Sequence, residues 1–305
     1  MIGPAHRGRG LGQKMVAEMV ARSEKTGAKR LTLKAKEDRA ATFYCRNGFR
    51  VVGHDGDFAL FEREIGRASR CREVAIHQPN YLPWLGYFYK IARADTFVFL
   101  ENAQFSKGSY TNRVRILLDG EPRWLTQPIQ HKFGQKIAEI KFSTSDWTHR
   151  NISTLKSAYK DTDAFGAVFP VLSGLLEASR DQCLAAVNRR LIEALCDRLS
   201  IDTKFVCDTD LGVDNETSDD RLIQLVQACA PNTGRYLSGA GGQKYQDEEK
   251  FRAAGIDVEY SDYEHPTYDQ GTSSFIPGLS IVDALFRLGW EKTAQVIDSD
   301  REVVG

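Results

Sequence analysis

Apolar positions in the first 65 residues fall first at helical and then at alternating spacing. Met15, Val16, Met19 and Val20 share one face of a helix predicted over Gly12–Thr26, and Gly27 ends it at the position where helices favour glycine. Arg30–Lys34 alternates as a strand, Ala40–Arg46 reads as a second helix closed by Asn47-Gly48, and Phe49–Val52 and Phe58–Glu62 read as strands. Beyond a small, polar and basic stretch, Gly66 to Arg72, the pattern changes. The strand Glu73–His77, the loop Gln78 to Pro83, a helix over Trp84–Ala92 and the strand Thr96–Leu100 make a β-loop-α-β opening. A strand near Val114–Leu118 and a polar, aromatic stretch to Trp147 precede a helical section over Asn151–Leu199, with interruptions near Asp161 and Pro170. The strand Lys204–Cys207, helix Asp219–Ala228, strand Arg235–Leu237, helix Tyr245–Ala254 and strand Asp257–Tyr260 complete the alternation. This predicts an α/β domain with a largely parallel sheet and a helical middle section, preceded by a smaller α+β piece.

The expected organisation is therefore a domain over 1–65, a linker over 66–72 and a second domain over 73–305, a length of 305 residues being enough for two cores. With 42% hydrophobic and 27% charged residues the chain belongs to the soluble globular class, which excludes collagen-like and disordered types. No apolar run reaches the roughly 18–20 residues of a membrane span, and no signal-peptide core follows the N-terminus, so a cytoplasmic location is expected. Lys+Arg and Asp+Glu both number 41, so there is no excess positive field for nucleic acid. The balance conceals two halves: residues 1–72 hold 16 basic and 8 acidic groups, leaving 41 − 16 = 25 basic and 41 − 8 = 33 acidic groups for residues 73–305. The six cysteines form no Cys-x-x-Cys pair and lack histidines at ligand spacing, so neither a metal site nor a disulfide framework is expected.

Arg7-Gly8-Arg9-Gly10-Leu11-Gly12 stands directly before a helix, where backbone N–H groups can converge on phosphate oxygens at the positive end of the helix dipole. A flexible glycine-rich turn is the plain alternative. The loop, its helix, the strand Leu31 to Lys34 and the run Phe43-Tyr44-Cys45-Arg46-Asn47-Gly48-Phe49 together resemble the GNAT acetyltransferase family. The resemblance implies that Arg7 to Gly12 binds the acetyl-CoA pyrophosphate and that Tyr44 protonates the departing CoA thiolate; otherwise Phe43 and Tyr44 simply pack the helix onto the sheet. Glu37 and Asp38 stand where the family often has a CoA-touching asparagine, and the family's opening elements would precede Gly3. A truncated piece of that sheet is expected to be inactive or weak as an acetyltransferase.

In the second unit, His77-Gln-Pro-Asn-Tyr-Leu-Pro83, Ala94-Asp95, Glu101-Asn-Ala-Gln104, Asn112-Arg113, Tyr236-Leu-Ser-Gly239, His265-Pro-Thr-Tyr268-Asp-Gln270 and Leu279 to Asp283 are similar to the WbqC-like family over about residues 73–290. That family implies a place in bacterial surface-polysaccharide synthesis, notably of O-antigen. His77 falls where a parallel strand should end, the place where α/β sheets gather ligands, and is a candidate general base. A histidine bonded to its own loop is the alternative. Gln78 and Asn80 offer donors and acceptors to sugar hydroxyls, and Tyr81 a ring for stacking. Gln104, Lys107, Asn112, Arg113 and Arg115 suit a diphosphate or form a solvated basic edge. Ser238 to Gly242 reads as an anion nest or a plain loop, His265 with Tyr268 and Gln270 forms a second polar-aromatic cluster, and Asp283 either orients a histidine or pairs structurally.

The expected activity leans to an enzyme of the N-acyltransferase class, moving an acyl or aminoacyl group to a nucleotide-linked amino sugar, with His77 or His265 taking the amine proton, Ser238 to Gly242 holding the developing oxyanion, and Arg113 and Lys107 holding the diphosphate. Two alternatives stand beside it: an acetyl-CoA-dependent N-acetyltransferase whose large domain supplies specificity, and a non-catalytic sugar-binding or scaffold module. Nucleotidyl transfer is a further, minor reading of the strand-loop-helix at His77, where a second histidine would fall near Tyr87. Partners are small-molecule or nucleotide-sugar substrates, and the oligomeric state stays open.

Overall fold

The computed structural model describes residues 15–16, 18–19, 22–23, 26, 28, 30–36, 44, 49–56, 58–64, 72–179, 183–213, 218–231 and 234–298. The chain divides into two compact units, 1–70 and 71–305.

In the first unit β1 (Arg30–Lys36), β2 (Arg50–Asp55) and β3 (Phe58–Glu64) form an antiparallel sheet of order β1-β3-β2. β3 is central, pairing Lys36 with Phe58 at one end and Arg30 with Glu64 at the other. Gly56, at φ 60°, closes the β2–β3 hairpin in a conformation that glycine adopts without steric cost. Inward positions of the central strand, Ala59 and Phe61, are buried with Val16 and Phe49, and Leu31, Leu33, Ala35 and Tyr44 pack against them. Met15, Val16, Glu18, Met19, Arg22 and Ser23 are helical, as their spacing predicts. The loop Arg7 to Gly12, together with Glu37 and Asp38, lies outside the described residues.

In the second unit β4 (Arg72–His77) leads through α1 (Leu85–Arg93) to β5 (Thr96–Phe99). An insertion follows: the strands β6 (Arg113–Leu118), β7 (Glu121–Thr126), β8 (Ile129–Gln130) and β9 (Lys141–Phe142), then the helices α2 (Trp147–Tyr159), α3 (Phe165–Glu177) and α4 (Leu184–Arg198). The alternation resumes with β10 (Lys204–Cys207), α5 (Ser218–Cys229), β11 (Gly234–Ser238), α6 (Glu248–Ala253), β12 (Asp257–Tyr260) and α7 (Ile281–Asp298).

Five of these strands form one parallel sheet of order β10-β5-β4-β11-β12. Because side chains alternate across a strand, each strand feeds two cores. Ala75, Phe97, Phe99 and Leu237 are buried together with apolar residues of α1, α4 and α7. On the opposite face Val74, Ile76, Val98 and Tyr236 are buried with Leu225 and Val226 of α5 and Phe251 of α6. The fold is thus α/β with helices on both faces of a parallel sheet. The chain builds outward from β4 through β5 to β10, then returns to place β11 and β12 on the other side, so the strand order reverses between β4 and β11. In open α/β sheets that reversal is where ligands bind, outside the carboxyl ends of the strands.

Three regions depart from the expectation. Pro170 lies inside α3 and does not break it: the proline forgoes one backbone hydrogen bond, while Val168, Leu172 and Leu176 bury the helix's inner face. The second interruption of the helical section instead falls between α3 and α4. A helix over Tyr245–Ala254 is also shorter than its pattern suggests, because Asp247 caps α6 by accepting from the Glu249 N–H, and Ala240–Lys244 is a separate 3₁₀ turn. Finally, β7, β8 and β9 emerge from the polar, aromatic stretch. Asp119 (φ 53°) and Gly120 (φ 75°) make a two-residue hairpin turn that pairs β7 with β6, and β8 pairs with β9.

Candidate functional site

The β4–β11 ladder runs from Arg72 opposite Gly234 to Ala75 opposite Leu237, so His77 and Ser238 stand at neighbouring strand ends at the order reversal. The His77 ring is half-buried, edge-on to Tyr87 at 4.9 Å and to Trp84 at 6.2 Å. Its Nδ1 lies 3.0 Å from the Gln78 carbonyl oxygen. A carbonyl only accepts, so in the neutral ring Nδ1 carries the proton and Nε2 keeps a lone pair. Burial, and then the charge of Lys90, push the His77 pKa down to about 4, so the imidazole is uncharged at neutral pH.

The sequence motifs do not single out Lys90. It sits on α1 with 4% exposure, and its Nζ donates to the Ile76 carbonyl oxygen at 2.9 Å, where the β4–β11 ladder has just ended. Burial alone lowers its pKa to about 7. Among the described residues no carboxylate pairs with it. A signal was present, since α1 is apolar on every side from Leu85 to Ala92 except at Lys90, and a helix of that kind is buried all round.

The loop after β4 is pinned at every turn. Tyr87 donates from its hydroxyl to the Gln78 carbonyl at 2.9 Å. One amide, Asn188 Nδ2 on α4, donates to the carbonyls of Pro79 at 2.9 Å and Thr111 at 2.6 Å. Gln78 Oε1 faces the Thr111 hydroxyl at 3.5 Å, and Asn80 is buried. Tyr81 is fully buried, edge-on to Trp147, with its hydroxyl accepting from Asn151 Nδ2 at 2.9 Å. It is a core residue and offers no open face for stacking on a sugar or base. Gly86 opens α1 because Tyr263 crosses its backbone: a Cβ there would lie 2.5 Å from that ring and 2.9 Å from Trp84 Nε1.

The residues expected to hold a diphosphate are divided. Arg113 donates to the Gly108 carbonyl from Nε (3.2 Å) and Nη2 (2.7 Å) and lies over the Trp124 ring at 4.2 Å. Arg115 donates to the Pro277 carbonyl at 3.1 Å. Asn112 is buried and spends its amide on the Gln127 carbonyl, which ties the end of β6 to the end of β7. Gln104 and Lys107 are exposed, Gln104 bridging to Lys136. An unexpected feature joins this region to His77: an aromatic run from Trp84 to Tyr110 (5.4 Å) and on to the half-exposed Trp124 (5.7 Å).

At the end of β11, Ser238 is buried and the loop beyond it winds into the 3₁₀ turn, in which the amides of Gly242, Tyr245 and Gln246 donate to the carbonyls of Gly239 and Gly242. Of the amides in the expected nest, that of Gly242 is therefore spent within the turn, where Gly239 serves as an acceptor. Gly242 is packed against the Ser238 hydroxyl, where a Cβ would lie 2.3 Å from Oγ. His265 is exposed and rests edge-on against Tyr263 at 5.0 Å. Tyr268 donates to Asp283 Oδ2 at 2.8 Å, and Tyr159 donates to Oδ1 at 3.1 Å. Asp283 therefore pairs with two phenols and not with a histidine, and its burial raises its pKa. Gln270 clamps its own loop, with Nε2 donating to the Ile276 carbonyl and Oε1 accepting from the Ile276 N–H. In the first unit Tyr44 packs against Phe49 at 5.6 Å and Phe61 at 5.3 Å.

A strand-end histidine, the loop from Gln78 to Pro83 and the Tyr268 to Asp283 cluster all fall within residues 78–295 or at their border, the span that matches the WbqC-like protein family model. The chain belongs to the WbqC-like family. Residues 1–51 match the acetyltransferase (GNAT) domain model. The chain is 34% identical over 224 residues to the uncharacterized protein Rv1507c of Mycobacterium tuberculosis, covering 72% of this chain and 95% of that relative. No solved structure matches the chain. A WbqC-like domain joined to a GNAT piece suggests an acyltransferase-type role. Among the described residues no helix is long and apolar enough to cross a membrane, and no group of His, Cys, Asp and Glu is placed to hold a metal ion.

Proposed function

We propose that this protein transfers an acyl or aminoacyl group to the amine of a nucleotide-linked amino sugar in bacterial surface-polysaccharide (O-antigen) biosynthesis, and that it works in the cytoplasm. The observation that carries the reading is His77: an uncharged imidazole at the order reversal, with its Nδ1 proton engaged by the Gln78 carbonyl and its Nε2 lone pair left as an acceptor. The sugar amine attacks the acyl carbon of an activated donor, the C–N bond forms, the bond from carbon to the leaving group breaks, and Nε2 takes the amine proton. Gln78 and the aromatic run through Trp84, Tyr110 and Trp124 offer polar and stacking contacts for the sugar nucleotide.

A thermal-shift panel with UDP- and dTDP-linked amino sugars, ATP and acetyl-CoA tests the substrate class, since ligand at about 100 times its Kd stabilises by about 2.7 kcal/mol. A shift with a nucleotide sugar supports the reading, followed by mass spectrometry of products with candidate donors. His77→Ala is expected to lower turnover by about 10²–10⁴. Undiminished product from the double variant His77→Ala, His265→Ala removes both histidines from the mechanism. The match of residues 1–51 to the GNAT domain favours a second reading, an acetyl-CoA-dependent N-acetyltransferase in which Tyr44 and Arg7 to Gly12 serve acetyl-CoA and the WbqC-like domain selects the amine. A shift with acetyl-CoA and none with nucleotide sugars would make that reading the primary one.

A further inference from the structure

Lys90 is an expensive residue to keep. An amine taken out of water without a counter-charge disfavours folding, and such a group persists where the site uses it. Its place is specific: Nζ reaches the Ile76 carbonyl just past the last β4–β11 pair, beside His77, where the two halves of the sheet part. One hydrogen bond from a group with two or three N–H donors leaves donor capacity at that point. Of the three cations that the sequence pattern assigns to a diphosphate, Arg113 is engaged by the Gly108 carbonyl and Trp124 and Arg115 by the Pro277 carbonyl, while Lys107 is exposed in the loop before β6. We propose that Lys90 is the oxyanion anchor of the substrate site, its Nζ donating to a phosphate or carboxylate oxygen of the substrate that enters at the end of β4.

The proposal rests on the reading of this strand edge as the substrate site, and it adds the contact that holds the substrate's negative charge. Binding an anion here restores the charge on the amine, so the protein takes up a proton as it binds. Of the titratable groups on the elements packed against α1, His77 on β4 feels the charge of Lys90; Glu73 stands at the opposite end of that strand, Asp283 on α7 is committed to Tyr159 and Tyr268 with Arg287 beside it, and Glu259, Asp262 and Tyr263 meet Arg93, Tyr89 and Gly86 of α1. None of them supplies a paired carboxylate.

Calorimetry of the full chain with inorganic pyrophosphate and with acetate, each in two buffers of different ionisation enthalpy, tests the proposal. With acetate, which is fully ionised throughout this range, uptake of about one proton per anion bound is expected at pH 8, falling toward zero at pH 6, where the amine is already charged; with pyrophosphate, which titrates itself, the uptake is read as the excess over the anion's own proton exchange. Lys90→Met is expected to weaken binding tenfold or more and to abolish the uptake. Binding of pyrophosphate assigns the anchored oxygen to a diphosphate, and binding of acetate alone assigns it to a carboxylate; either outcome with proton uptake supports the anchor. Neither anion binding, no uptake by the wild-type protein at pH 8, or wild-type affinity in Lys90→Met overturns it. The wild-type measurement stands by itself if the variant folds poorly. Anion binding with proton uptake but no acyl transfer to any amino sugar would retain the anchor and discard the proposed reaction.

Discussion

At the scale of single residues, the site depends on a few atoms that tolerate no company. Gly86 lets the Tyr263 ring lie on the backbone of α1, and that ring in turn carries His265. Gly86→Ala must therefore displace Tyr263 or Trp84, at a cost of about 1–3 kcal/mol in thermal or denaturant unfolding. A wild-type midpoint in that variant would show that the loop holding Tyr263 moves freely. His77 and Lys90 make stability depend on pH in one direction. Folded His77 binds its proton only near pH 4, whereas unfolded histidine binds near 6.5, so acidification through that window removes up to about 1.4 kcal/mol per pH unit. Folded Lys90 releases its proton near pH 7 and the unfolded side chain near 10.5, so stability rises again as pH climbs between them. Denaturant midpoints measured from pH 4 to 10 should show both rises, and Lys90→Met should lose the upper one.

Elements meet at the site through few, fully used groups. Asn188 on α4 reaches two loops with one amide nitrogen, binding the Pro79 and Thr111 carbonyls. Asn188→Ala leaves both carbonyls buried without that donor, and a loss of about 1–3 kcal/mol is expected, with faster hydrogen exchange in residues 78–83 than elsewhere in the unit. Exchange that stays uniform would mean that the neighbouring Tyr87 contact is enough to hold the loop. The long segment after β12 is held in a similar manner, by Tyr268 on Asp283 and by Gln270 closing on Ile276. These contacts explain why several residues that read as substrate contacts are occupied within the protein. A polar side chain in a loop is equally suited to bind a sugar or a backbone, and only the position of the neighbouring backbone decides between them.

For the whole molecule, the division at residue 70 places the five-stranded sheet and both of its cores within residues 71–305. We expect that segment, expressed alone, to unfold cooperatively and to keep any thermal shift with nucleotide sugars; loss of the shift would assign the ligand to residues 1–70. The alternation of apolar runs with helical periods determined the α/β class and every strand of the five-stranded sheet, because a parallel sheet covered on both faces needs continuous apolar strands. The family, too, was legible in His77 to Pro83 and the motifs after it, since those are local strings of residues. The order of the strands was not, and with it went the placing of His77 next to Ser238, because pairing between β4 and β11 joins residues 160 and more positions apart. The hydrogen bond of Lys90 to the Ile76 carbonyl and the internal use of Tyr81, Asn112, Arg113 and Gln270 likewise belong to tertiary structure alone. Burial and hydrogen-bond partners are properties of what surrounds a side chain, and the surroundings exist only once the chain has folded.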